Sequence, residues 1–540
     1  NLNLVEKLKK LGLLVIPMDF LPLNAIGEET GKDYPYMYWR SGQKILAAAN
    51  YIAKQKNLFA IYLTNFNCGP DSYITKFFEK EMHGKPYLSL EIDEHSADVG
   101  MLTRCEAFID TIKNARTTAY TDKKITSTVS FSSLSPSHLG GNKKTLYIPY
   151  MDDHSYIVAA ALRAADIKAE PLEPSDEQSL IIGRKHTSGR ECFPSIITTG
   201  DILKKSYSPD FKAEHSAFFM PSAKGPCRFG QYNKLHRMVL DEIGLTDVSL
   251  ITFDQTSGFH KDLAVLGSTR FKRNVWHGLV LMDLIQKLSR ETRPYEIAKG
   301  ETDEVYKKTF KELESFIADG HKNLDDFTKD IVKQFDAIKT DRTIPKPKIG
   351  IVGEIYVRSN PFTNNYVVSS LEKLGAEVSL PPFEEWLDYI DYLREEDYLL
   401  KKDYLSYIKQ KITLIFQERE ANRIRKFFKG KIRNFYMESP TSETIRYGTT
   451  YIEPALRGEV ILSMGRAVEY VHQGFNGIIN IIPFGCMPGT IVTALLKRFK
   501  NDHPVPVFTL TVDGIKNPGE EMRLEAFVRQ AQELMNDSAH

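Results

Sequence analysis

The sequence predicts an α/β protein made of several open parallel-sheet domains with a helical insert. Three observations lead there. Short apolar runs alternate with stretches of helical periodicity through most of the chain. One plan of strand, loop, helix, strand and helix occurs near the start and again at the end. Between about 276 and 339 the strand signal fades and charged helical sequence replaces it. Strands that alternate with helices are joined by crossovers rather than hairpins, which implies parallel sheets covered on both faces.

Residues 41–56 carry Ile45, Leu46, Ala49 and Ile52 at helical spacing. Residues 59–63 read as a buried strand that runs into Cys68, residues 71–80 as a helix and 86–93 as a second strand, with a helix from about Leu102. In the middle, 145–149 reads as strand, 155–165 as helix and 179–182 as a further strand. Cys192 opens a helix to Lys205, the apolar run 217–220 leads to Cys227, and helix 235–243 precedes strand 248–253. Pro345-Lys346-Pro347 reads as a linker. Residues 348–354 begin a fresh domain with its first helix at 366–374, and 384–433 is largely helical. A helix from about Gly465 to His472 leads to strand 477–482, Cys486, a helix, strand 505–513 and a last helix. The expected domains are a half-domain over 1–135, an α/β domain over 140–275, a helical insert over 276–344 and an α/β domain over 345–540. The sheets are expected to be Rossmann-like or flavodoxin-like.

The repeat extends to single residues. Cys68 precedes Asp93 by 25 positions and Cys486 precedes Asp513 by 27. Both copies end in Arg-x-Glu-Ala-Phe, at Arg104 to Phe108 and at Arg523 to Phe527. A duplicated half-domain explains the match. It also places Cys105 opposite Leu524, as a small core residue on a helix.

Composition removes several function classes. Lys and Arg total 71 against 70 for Asp and Glu, so bulk charge argues for neither nucleic acid nor an acidic membrane. No apolar run approaches the ~18 residues that a span needs. Five cysteines in 540 residues are no disulfide scaffold, and a reducing, cytoplasmic setting is expected. No leader-like segment opens the sequence, and residues 2–15 read as the middle of a fold, so the first half-domain is expected to be truncated at its start.

Cys68, Cys192, Cys227 and Cys486 each have Gly or Pro within two residues and lie near the end of an apolar segment. Loops beyond strand carboxyl ends are where open α/β sheets bind ligands. Helix N-termini favour the thiolate, the form that binds metal. Four thiolates suit one [4Fe–4S] cluster or one structural zinc. Zinc ligands commonly come as close pairs, which this chain lacks, so the wide spacing favours a cluster. Four buried structural cysteines remain the plain alternative.

Three segments add a resemblance. They are Gly189-Arg190-Glu191-Cys192-Phe193-Pro194, the run 220–232 around Gly225-Pro226-Cys227-Arg228-Phe229-Gly230, and Cys68-Gly69-Pro70-Asp71-Ser72 with Glu91 to Asp98. Together they resemble the C-terminal region of acyl-CoA dehydratase activase-related (CoA-protein activase) proteins. That region is similar to the iron–sulfur component of 2-hydroxyacyl-CoA dehydratases and benzoyl-CoA reductases and to double-cubane cluster proteins. The resemblance implies a low-potential, oxygen-sensitive iron–sulfur protein of anaerobic metabolism, an oxidoreductase acting on a small or acyl-CoA-type substrate. It implies Cys68, Cys192, Cys227 and Cys486 as the ligand set. It implies an ATP-hydrolysing activator with its own [4Fe–4S] cluster as partner, in some relatives fused upstream, and a homodimer or heterodimer. A double-cubane cluster takes six cysteines in its known form and this chain has five, so a single [4Fe–4S] cluster is expected. The competing expectation is a non-catalytic scaffold with a structural zinc or buried-thiol site.

Other residues carry less. Asp93-Glu94-His95 follows a strand, but only the Asp is shared with Asp513 of the repeat, which favours a loop-capping role. Arg228 offers positive charge to a cluster or an anionic substrate, or makes an ordinary surface salt bridge. The run 350–354 lacks a G-x-G-x-x-G pattern and supports no nucleotide claim. No P-loop is present, so ATP hydrolysis belongs to the partner. His321 and Asp152-Asp153-His154 read as solvated or capping residues.

Overall fold

The computed structural model describes residues 3–23, 37–65, 68–93, 96–115, 144–223, 225–252, 269–320, 322–433 and 440–537. The chain is α/β, and among the described residues three sheets form, all parallel. It divides into two compact units. The first comprises Asn1–Ser130, Ser188–Glu191 and Arg228–Asp241, and the second Phe131–Thr187, Cys192–Cys227 and Glu242–His540.

The first unit pairs β1 (Ala60–Asn65) with β2 (Tyr87–Ile92). The crossover helix Asp71–Glu81 buries Tyr73, Ile74, Phe77 and Phe78, a stripe at helical spacing. Helix Asp98–Ala115 follows β2 and buries Cys105 at 1% exposure against Leu4, Leu8, Leu90 and Met101. Cys105 is the core residue that its position predicts.

The second unit holds two four-stranded sheets. One contains β3 (Thr145–Ile148), β4 (Ala169–Pro171), β5 (Ser216–Phe219) and β6 (Ser249–Ile251) in the order β4-β3-β5-β6. The other contains β7 (Lys348–Gly353), β8 (Glu377–Ser379), β9 (Gly477–Pro483) and β10 (Val507–Val512) in the order β10-β9-β7-β8. All seven residues of β9 are buried, as a run of isoleucines sandwiched between helices requires. In both sheets the chain winds to one side of its first strand and then to the other. The switch points therefore fall between β3 and β5 and between β7 and β9. The charged middle of the chain forms helices Thr269–Thr292, Glu301–Ala318 and Leu324–Asp336. These bury Val280, Ile285, Leu313, Ile317 and Ile331 in one cluster with Ile424 and Phe428 of helix Tyr404–Phe428. No helix among the described residues is long and apolar enough to cross a membrane.

Residues 179–182, expected as strand, lie in the helix Glu177–Lys185. Four residues with two isoleucines satisfy either period, and two local features decide. Asp176 and Ser179 close a capping box, with the Ser179 amide donating to Asp176 at 2.9 Å. Gly183 and Gly200 then let this helix lie directly on helix Phe193–Ser206.

Asp201 sits in that second helix and accepts a hydrogen bond from the Ser175 hydroxyl at 2.8 Å. Burial pushes its carboxyl from 3.8 up to about 7. The fold thus favours the neutral acid. This contribution to stability is complete below about pH 4 and is lost as pH rises through about 7. Asp201→Asn is expected to flatten that decline, by a few kcal/mol, in urea melts taken across the range.

Candidate metal centre

Three of the four motif thiols follow strand carboxyl ends, and two of those sit in matching cradles. β9 ends at Pro483, a turn through Gly485 (φ 67) reverses the chain, and Cys486 becomes the N-cap of helix Met487–Asp502. The Cys486 sulfur accepts the Gly489 backbone N–H at 3.4 Å. In the first unit, β1 ends at Asn65, Cys68 lies just ahead of helix Asp71–Glu81, and the Asp71 backbone amide favours the Cys68 thiolate. At both positions the amide three residues on favours the thiolate, and at Cys486 it is hydrogen-bonded to the sulfur. The register agrees as well. Asn65 pairs with Ile92 just before Asp93, and Pro483 pairs with Val512 just before Asp513. The two strand pairs thus end in the same register relative to the Asp that follows.

The surroundings of the two sulfurs differ. Near Cys68, the Tyr62 and Thr64 hydroxyls donate to the Asp71 carboxylate at 2.8 and 2.7 Å and fix the turn. Arg228 is buried, lays its stem against Gly69, and donates to Ser72 Oγ at 3.2 Å and to the Arg190 carbonyl at 3.3 Å. It does not lie at the surface, and its charge favours the Cys68 thiolate.

Cys486 lies beside the switch point of its sheet, where β7 and β9 diverge. Glu354 directly follows β7, and its carboxylate accepts the Val357 amide at 2.9 Å. Glu459 accepts the Ile355 amide at 2.7 Å. Gly353 makes this approach feasible: its φ is 114, and a Cβ there would meet the Ile481 carbonyl at 2.1 Å. Burial and then the neighbouring Glu354 charge push Glu459 up to about 8, and burial raises Glu354 too. Cys227, in the segment that follows β5, is exposed and lies within electrostatic reach of Cys486. Cys192 is buried as the N-cap of helix Phe193–Ser206, with Pro194 in its first turn.

Helix N-termini were expected to favour the thiolates. The structure places the sulfurs there, but burial outweighs the effect. It raises Cys68, and it raises Cys486 well above the ordinary thiol value, with Cys227 and Glu354 adding to the rise. Among the described residues no three or more His, Cys, Asp or Glu side chains stand together as a ligand group. None of the five cysteines is in a disulfide.

Asp152-Asp153-His154 is not a solvated cap. His154 is 4% exposed, with Nε2 at 2.9 Å from the Asp283 carboxylate and Nδ1 at 3.6 Å from Asp152. Its partner lies 129 residues away, which no local pattern reveals. Asp93 does cap its loop: its carboxylate accepts the Ser96 hydroxyl at 2.9 Å, and its amide donates to the same hydroxyl at 2.8 Å. Glu94, His95 and His321 lie outside the described residues. Glu354 and Glu459 went unread in the sequence, although a carboxylate directly after the apolar strand 348–353 marks a strand end worth noting. Neither a protein-family model nor a curated protein sequence matches the chain.

Proposed function

We propose that the chain is a low-potential iron–sulfur protein whose [4Fe–4S] centre is held by Cys192, Cys227 and Cys486, with Cys68 as the fourth thiol that the sequence motifs group with them. The supporting observation is the Cys486 cradle at a switch point, with the Cys227 thiol in electrostatic reach. The donor chemistry fits: soft sulfur ligands, a backbone N–H on the sulfur, and no competing disulfide. A bound cluster of this kind supplies one-electron transfer.

The protein's own residues set the terms of that transfer. The Gly489 amide orients the Cys486 sulfur, and the Gly489 and Asp71 amides offset the negative charge of the two thiolates. Glu354 and Glu459, when ionised, oppose any added electron near Cys486 and so favour a low potential. Burial of Cys192 and Cys486 keeps water from the thiols. Single electrons would come from an ATP-hydrolysing activator with its own cluster, and the acceptor would be a small or acyl-CoA-type substrate.

Purification without oxygen tests the reading. Brown protein with about four irons and four sulfides per chain is expected, with an EPR signal on reduction. Cys486→Ala should lose that iron and Cys105→Ala should keep it. Colourless protein with one zinc, or equal iron in both variants, contradicts the proposal.

A further inference from the structure

The second unit contains a cavity of about 340 Å³ that the cysteine motifs do not use. It lies beyond the carboxyl ends of β3 and β7, the first strands of the two sheets. Tyr150 and Asp153 follow β3, Arg358 and Tyr366 follow β7, and Arg290 comes from helix Thr269–Thr292. That is where open parallel sheets take small ligands, and the volume lies in the usual range for them.

Charge in the cavity is unevenly matched. Arg293 is held by Asp303 at 2.8 Å and by both oxygens of Glu372 at 2.9 and 3.0 Å. Asp153 accepts from Tyr306 Oη at 2.5 Å and Asp152 from Gln286 at 2.8 Å. Arg290 and Arg358 differ from Arg293. Arg290 donates to the Gln286 carbonyl and side-chain oxygens at 3.1 and 2.9 Å. Arg358 is 5% exposed and donates from Nη1 to the Gly353 carbonyl at 3.0 Å, and its buried Nε finds no acceptor among the described residues. Both guanidinium groups hydrogen-bond to neutral oxygens, with Glu372 in electrostatic reach of Arg290 and Glu354 and Glu459 in reach of Arg358. A buried donor left without an acceptor is costly and calls for an oxygen-bearing ligand nearby.

The backbone adds an independent sign. Asn365 and Tyr366 both adopt left-handed φ, 56 and 55, although neither is glycine. Tyr366 is 56% exposed, so no core packing compels the strain. Strain of this kind concentrates at ligand sites.

We propose that this cavity binds a small organic oxyanion, a carboxylate or phosphate group, through Arg290 and Arg358, with Tyr366 contributing an aromatic wall. Two guanidinium groups suit the planar or tetrahedral oxygens of such a group. The proposal does not depend on the iron–sulfur reading, and binding needs no metal.

Isothermal titration calorimetry of the full chain with butyrate, and separately with inorganic phosphate, tests it. Saturable binding with a Kd of about 1 mM or tighter is expected for at least one of them. Butyrate alone would mark an organic acid site, and phosphate alone a phosphorylated ligand. Arg290→Gln and Arg358→Gln should each weaken binding by about tenfold or more. Arg290 is half-buried, so its variant stays informative if Arg358→Gln folds poorly. No saturable heat from either anion at about 10 mM, or unchanged affinity in the folded variants, overturns the proposal.

Discussion

Gly200→Ala is expected to destabilise the second unit by about 3 kcal/mol or more, the upper end of overpacking effects. A Cβ at Gly200 would stand 1.7 Å from the Ser179 carbonyl oxygen, and one at Gly183 would stand 2.0 Å from that of Ile196. In both cases the obstacle is backbone, which cannot turn aside as a side chain can. The two helices must therefore separate, which opens the apolar contact of Leu180 with Ile196 and Ile197. Urea denaturation should show a lower midpoint in Gly200→Ala. The Ser206 hydroxyl, near the end of the same helix, donates to the Ile202 carbonyl, and Ser206→Ala should lie close to wild type. A wild-type midpoint for Gly200→Ala would mean that the helices are not in this contact. Cys192 caps one of these helices, so the same change should also speed its reaction with a thiol reagent.

Asp283→Ala is expected to cost about 3–5 kcal/mol, as breaking a buried ion pair does. Asp283 does two jobs at once. One oxygen binds His154 Nε2 at 2.9 Å. The carboxylate also accepts the Phe383 and Glu384 amides at 2.8 and 3.0 Å, where helix Glu384–Leu400 begins. Removing it strands an imidazolium and two amides together. The pH dependence separates these losses. Burial alone would lower His154, but the Asp283 charge and the hydrogen bonds to Asp152 and Asp283 raise it from 6.5 to about 10. Because the folded value is the higher one, this contribution is complete below about pH 6.5 and is lost as pH rises through about 10. Wild-type stability should fall across that window. The decline should be much shallower in Asp283→Ala. Parallel curves would show that His154 is not held charged by Asp283.

Much of this architecture could be read from the sequence because the repeat provides two independent views of one unit. The agreement of Cys68 with Cys486 and of Asp93 with Asp513 fixes where strands end, and the paired registers follow it residue by residue. Parallel sheets were legible from apolar runs with helices between them. Segment 179–182 was not, because a short run with two isoleucines fits both periods and the deciding contact is with Gly200, further along the chain. The same limit hid His154, whose carboxylate partner comes from another helix. The thiols were found by their Gly and Pro neighbours. Their burial depends on the assembled sheet, so the direction of their titration was invisible until the strands were in place. Glu354 and Arg358 give no site signal in the sequence, because single charged residues after a strand are common on solvated surfaces.

Each sulfur cradle is made from residues close to it in sequence: a strand end, a turn and an amide one helical step on. Such a holder is inherited whole with its half-domain. A segment of this kind carries its thiol geometry with it, so its surroundings can differ, carboxylates beside one copy and an arginine beside the other, without changing the turn.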